Sequence, residues 1–177
     1  ISAVSPSASG IFDEWIAATP DCFVAHASRG YFLFRLGAAQ RGTATAARTP
    51  PARFAAARVT NTRAEVDLRR ALELRPRVVI AATALITMLA SLSEGDGSRD
   101  VFDAAIRQCP DCMEPRIAYL RAMRPRWADD QSQVTAVLDA VDASRRPALA
   151  VLEAFPDYDD CFELRTANRL EDALVAC

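Results

Sequence analysis

The segment FDEWIAATPDC at residues 12–22 returns as FDAAIRQCPDC at 102–112, so that Phe12, Ile16, Pro20, Asp21 and Cys22 fall on Phe102, Ile106, Pro110, Asp111 and Cys112. Between them, LRRALELRP at 68–76 ends on Pro76, and setting Pro76 on Pro110 places Leu68 against Phe102 and Ala71 against Ala105. A large apolar residue eight before a proline and a small one five before it lie on one helical face. The proline ends that helix, because it has no N–H to donate and turns the preceding residue away from helical geometry. The repeated unit is therefore a helix, a short turn and a second helix.

Pro76 and Pro110 are one period of 34 apart, and that period with a large–small–proline pattern is the spacing of tetratricopeptide repeats, in which helical hairpins stack side by side. The spacing stretches twice, from Pro20 to Pro76 and again from Pro110 to Pro156. The first insertion falls between Gln40 and Arg63, where RGTATAARTPP reads as a loop and the chain onward to Leu74 as one long amphipathic helix. Helices are expected at 11–18, 22–39, 51–74, 77–92, 98–108, 112–123, 131–143, 146–154, 159–167 and 170–176. Turns are expected at Glu94-Gly95-Asp96-Gly97, Arg124-Pro125-Arg126, Pro156-Asp157 and Asn168-Arg169. No stretch alternates with period 2, so no sheet is expected. The fold class is all-α, a tetratricopeptide-like array, with 1–10 as a flexible segment and 11–177 as one domain.

Composition limits the chemistry. All 21 basic residues are Arg, which removes Schiff-base and phosphate-loop lysines, and a single histidine, His26, removes multi-His metal sites. A net charge of -2 argues against a dedicated nucleic-acid binder. The apolar run Val78–Leu92 is about 15 residues long, short of the roughly 20 that a bilayer needs, and reads as a buried central helix. Five cysteines, at 22, 109, 112, 161 and 177, leave one thiol over if the rest pair within the chain. The first residue is Ile1, compatible with signal cleavage or a fragment edge, so an oxidising and a reducing compartment both stay open.

Three segments, RGYFLFRLGAAQRG at 29–42, DLRRALELRP at 67–76 and YLRAMRPRW at 119–127, resemble a bacterial family of tetratricopeptide-like proteins described only as a domain of unknown function. Gly30 and Tyr31 are set against its Arg-Gly-x-Tyr segment, although here Tyr31 follows Gly30 directly; Tyr119, Leu120, Pro125 and Trp127 match its Tyr-Leu…Pro-x-Trp segment. The glycines that follow the Trp in that family are replaced here by Ala128-Asp129-Asp130. The resemblance spans roughly residues 10–140 and implies a helical-hairpin fold, with no activity attached.

Several constellations hold both a chemical and a structural reading. Cys109-Pro110-Asp111-Cys112 is a CxxC, the pattern of thiol–disulfide exchange, but Cys22 occupies the place of Cys112 in the repeat, so a structural turn explains the same residues. Zinc would need two further ligands that no second CxxC or His pair supplies. Cys161 and Cys177 flank an expected helix–turn–helix and form a disulfide if that hairpin closes. His26 lies one helical turn from Cys22, with no orienting carboxylate in the local sequence. Asp157, Asp159 and Asp160 read as helix-capping acids rather than a calcium loop, and Gly95-Asp96-Gly97-Ser98 as a helix–helix turn rather than a phosphate cradle.

An array of this kind offers a concave groove to a peptide or a helix of another protein. Counted from each proline, the groove-facing candidates are Tyr31, Phe34 and Arg35, then Thr83 and Thr87, then Glu114, Arg121 and Arg124, with core packing of Tyr31 and Phe34 as the other reading. Trp127 is expected to cap the last repeat. The expected function is a non-enzymatic protein–protein interaction scaffold with no cofactor, no metal and no membrane span. Its rivals are an oxidoreductase using Cys109 and Cys112, and a secreted or periplasmic protein stapled by disulfides.

Overall fold

A computed structural model of the chain describes residues 9–92, 95–124, 132–141 and 146–166. Every described element is helical. The chain divides into two compact units, Ile1–Tyr119 and Leu120–Cys177.

The first unit begins with α1 (Ser9–Ala18), α2 (Phe23–Arg41), α3 (Pro51–Leu74) and α4 (Val79–Ser91), and continues through α5 (Gly95–Gln108) into α6 (Met113–Ala122). The three repeat prolines build one turn three times. Thr19, Arg75 and Cys109 each donate their N–H to the carbonyl four residues back (Trp15, Ala71, Ala105), at 2.9 Å in every case. Three residues on, the N–H groups of Cys22, Val78 and Cys112 close the turn onto Thr19, Arg75 and Cys109 at 3.0, 3.2 and 3.1 Å. The proline occupies the second turn position, where its fixed φ is an advantage and its missing N–H leaves no bond unmade. Ahead of these turns Leu68 and Ala71, and Phe102 and Ala105, are buried as the pattern requires.

The insertion lengthens the α2–α3 hairpin. Gly42, at φ 81°, ends α2 in a backbone conformation that favours glycine, and Pro51 opens α3 at a position where no amide partner is needed. A single 3-10 turn, Ala46–Arg48, interrupts the loop. The helices then run antiparallel at very close approach. A Cβ at Gly30 would sit 2.7 Å from Leu68 Cγ and 3.0 Å from its backbone nitrogen, and one at Gly37 would collide with the Asn61 side chain. On α3 the buried stripe is Ala57, Thr60, Asn61, Ala64, Asp67, Leu68 and Ala71, spaced by three and four and dominated by small residues. That is the period of a close coiled-coil seam.

Helix α4 is the central buried helix, with Ala81, Ala82, Ala84, Leu85, Ile86, Met88 and Leu89 all inside. Among the described residues no helix is long and apolar enough to cross a membrane. Helix α5 starts earlier than the sequence suggests: Gly95 to Gly97, expected as a turn, form its first turn. The first N–H groups of a helix have no intrahelical partner, so glycine costs little there. Fully buried Ser98 then donates its hydroxyl to the Ile86 carbonyl at 3.1 Å and pins the start of α5 to α4. Ser9 and Gly10 belong to α1 rather than to the flexible segment expected over 1–10, of which residues 1–8 lie outside the described part.

The second unit holds α7 (Ser132–Asp139), a 3-10 helix over Pro147–Ala154 and α8 (Phe155–Thr166), with Val137, Leu149, Leu152 and Phe155 buried. Two expectations fail here. The stretch 146–154 is not α-helical, and Pro156-Asp157 is not a turn but the first turn of α8. Pro156 opens α8 and fixes how the segment before it ends. In an α-helix the Leu152 carbonyl would receive the N–H of residue 156, which proline lacks; it accepts the Phe155 N–H instead, the shorter 3-10 bond. Asp157 lies in the first turn of α8, where a carboxylate opposes the positive end of the helix dipole. The turns expected at Pro125-Arg126 and Asn168-Arg169, the helix at 170–176, Trp127 and Cys177 lie outside the described residues.

Candidate functional site

An apolar cleft of about 490 Å3 opens on the first unit between α1, α2 and the start of α4. Phe23, Val24, Ala27, Ser28, Tyr31, Phe32 and Arg35 line it from α2, Phe12 from α1, and Val78 and Ile80 from the α4 side. On α2 these positions recur every three or four residues, so they form one face. Phe12 packs on Phe32 with ring centroids 5.2 Å apart, while Val24 and Ile80 are 42% and 49% exposed, which leaves aliphatic surface open in the trough. Arg35 is the sole charged residue among those lining it; its guanidinium makes no ion pair among the described residues. Towards the other end Arg75 lies over the Phe23 ring, 4.9 Å from its centroid.

The groove candidates fare unevenly. Tyr31 and Arg35 line the cleft; Phe34 sits beside Tyr31, ring centroids 6.2 Å apart, outside the lining. Thr83 and Thr87 share the α4 face with Ile80, but the Thr83 hydroxyl is buried with no hydrogen-bond partner, while Thr87 donates to the Thr83 carbonyl at 3.0 Å. Glu114 is exposed on α6. Arg121 and Arg124 belong to the second unit, and Arg124 is buried rather than presented to a groove. A second hollow of about 390 Å3, between α3 and α5, holds none of these candidates.

Next to the cleft-lining Ala27 and Phe12 stands a polar node that the sequence does not reveal. His26, expected on a helix face, is buried and bridges two elements: Nε2 lies 2.8 Å from the Pro20 carbonyl and Nδ1 3.1 Å from Asp67 Oδ1. Asp67, 2% exposed on α3, also accepts a fork from Arg29, Nε at 2.6 Å and Nη2 at 2.7 Å. Arg29 Nη1 reaches Asp13 on α1 at 2.7 Å. The Asp67 hydrogen bonds, against the desolvation of burial, hold the Arg29 guanidinium above its ordinary value. The node ties α1, the first turn, α2 and α3 at one point. Asp67 is the orienting carboxylate missing from the sequence around His26, and it comes from a different helix. The pair still lacks the geometry of a catalytic dyad, since a carbonyl only accepts and His26 Nε2–H is committed to Pro20. An acid within an otherwise uncharged helical stripe was the signal that could have found it.

Cys109 and Cys112 form a disulfide that spans the third turn, and Cys22 is a free thiol at the equivalent place in the first. Arg77 directs Nη2 at Cys109 Sγ, 3.9 Å away. Cys161, in α8, is disulfide-bonded, while Cys177, its expected partner, lies outside the described residues. No three His, Cys, Asp or Glu side chains among the described residues are placed to hold a metal ion.

The fold and cleft define a class, an all-α array of helical hairpins with an open apolar trough. The chain belongs to the family described as a domain of unknown function (DUF4034), whose model matches residues 2–96. The match takes in α1 to α4, the lengthened hairpin and the cleft, and stops before the Tyr119–Trp127 segment. No curated protein and no solved structure matches the chain.

Proposed function

We propose that the chain is a non-enzymatic interaction scaffold of tetratricopeptide-like architecture, which takes an apolar segment of another protein, a peptide or a helix, into the α1–α2–α4 cleft. The tetratricopeptide-like reading draws support from the turn repeated at 19–22, 75–78 and 109–112 with the same hydrogen bonds. The observation that carries the binding reading is the cleft itself: aromatic walls, two half-exposed aliphatic side chains, and one cation at the rim. Aromatic and Arg side chains are the usual anchors of protein interfaces. The charge of Arg35 favours a segment in which Asp or Glu flanks the apolar anchors.

Panning a random dodecapeptide display library against the chain tests this. Selected peptides are expected to combine aliphatic or aromatic residues with acids, and to bind Tyr31→Ala at least tenfold more weakly, about 1.4 kcal/mol. Failure to enrich any peptide, or enriched peptides indifferent to Tyr31→Ala, would overturn the proposal.

A further inference from the structure

We infer that Cys109 and Cys112 form a thiol-reactive disulfide, a site for dithiol–disulfide exchange with a dithiol reductant, rather than a staple on which the fold depends. Three turns of the first unit share one design. Those at 19–22 and 75–78 make the same two backbone bonds as the turn at 109–112, at closely similar lengths, and neither has a cross-link. The backbone therefore adopts this shape without the S–S bond. Reduction at 109–112 leaves the Cys112 N–H bonded to the Cys109 carbonyl and both helices in place. A disulfide whose two redox states share one backbone opens with little reorganisation.

The surroundings favour exchange in one direction of attack. Cys112 is half-buried and stands immediately before α6, where the helix N-terminus stabilises negative charge on sulfur. Cys109 is buried and faces the Arg77 guanidinium at 3.9 Å. Cys112 is the more accessible sulfur, so an incoming thiolate attacks Cys112 Sγ, the S–S bond breaks, and its electron pair leaves on Cys109 as a thiolate beside Arg77; the α6 N-terminus acts in the second step, on the thiolate released at Cys112. The second thiol of the donor then attacks the mixed disulfide and releases Cys112. The donor dithiol is oxidised to its disulfide, and its two electrons and two protons end on Cys109 and Cys112. Lower pKa of the leaving thiol speeds such a step, which gives Arg77 a defined part in it. Arg77 arrives from the neighbouring repeat, where it holds the turn position that Asp111 holds here.

The test is reduction of the folded chain by dithiothreitol, quenched with acid, alkylated and read by peptide mass spectrometry, with circular dichroism followed in parallel. The pair is expected to open without denaturant and with unchanged helix content. Arg77→Gln is expected to slow opening by about threefold to tenfold, and Arg77→Lys to restore it. Opening only in denaturant, loss of helix on reduction in a Cys161→Ser variant that leaves 109–112 as the bond being opened, or an Arg77→Gln rate equal to wild type would each overturn the inference. Because Arg77 and both cysteines lie outside the cleft lining, these outcomes are independent of peptide binding.

Discussion

Asp67 ties α3 to α2 through a buried carboxylate. It accepts from Arg29 twice and faces His26, and its loss leaves the Arg29 guanidinium facing an empty acceptor position. Removing one member of such a buried set costs about 3–5 kcal/mol. Asp67→Ala is therefore expected to lower the unfolding free energy, measured in urea, by that amount. Asp13, at the outer end of the same network, has a half-exposed side chain, and Asp13→Ala is expected to cost no more than about 1 kcal/mol. Equal effects of the two would show that the buried end of the node is not what holds it. The contrast explains why the node is hard to read from sequence. Arg29 lies three residues beyond His26 on one face, but the acid that joins them is contributed by α3, far along the chain. Pairing across such a distance follows from which helices pack together, not from local pattern.

Among the helices and turns, proline decides. Where it follows a helix, at Pro20, Pro76 and Pro110, the turn is legible in the sequence, because a missing N–H has the same consequence wherever it occurs. Pro156 misleads for the opposite reason: it starts α8 rather than stopping a helix, and leaves the Leu152 carbonyl to the shorter 3-10 bond from Phe155. Pro156→Ala is expected to let the Leu152 carbonyl take the N–H of residue 156 and to convert 147–154 toward α-helix, seen as downfield 13Cα shifts across that segment. The long α3 is legible at both ends, from Pro51 and from the Arg75-Pro76 stop. How close α2 and α3 come is visible only in three dimensions, at Gly30 against Leu68. Gly30→Ala, which drives a Cβ into that contact, is expected to cost about 1–3 kcal/mol. Ala at the exposed Gly10, where nothing lies within 4 Å, is expected to cost none of it. Paired thermal melts of the two variants check the contrast.

Across the first unit, hairpin follows hairpin, and the cleft lies where three of its elements leave an apolar face uncovered. The node joins α1 to α2 at Asp13 and Arg29, one residue from Phe12 and next to Ser28, beside the trough. Of the residues singled out from the sequence, Tyr31 and Arg35 line this trough, while Phe23, Val24 and Ile80, which also line it, carry no signal in the repeat spacing, because which side chains meet there depends on how α1, α2 and α4 pack. The insertion lengthens the hairpin beyond the cleft, which leaves the trough bounded by the short elements α1 and α4. Whether the trough is the docking site is decided by placing a photo-cross-linking benzoylphenylalanine at Ile80, or at Val66, which is 65% exposed on α3, and irradiating each protein with a peptide selected on the wild type. Cross-linking is expected from position 80 and not from 66. Equal yields from both, or capture from 66 alone, would move the docking site out of the trough.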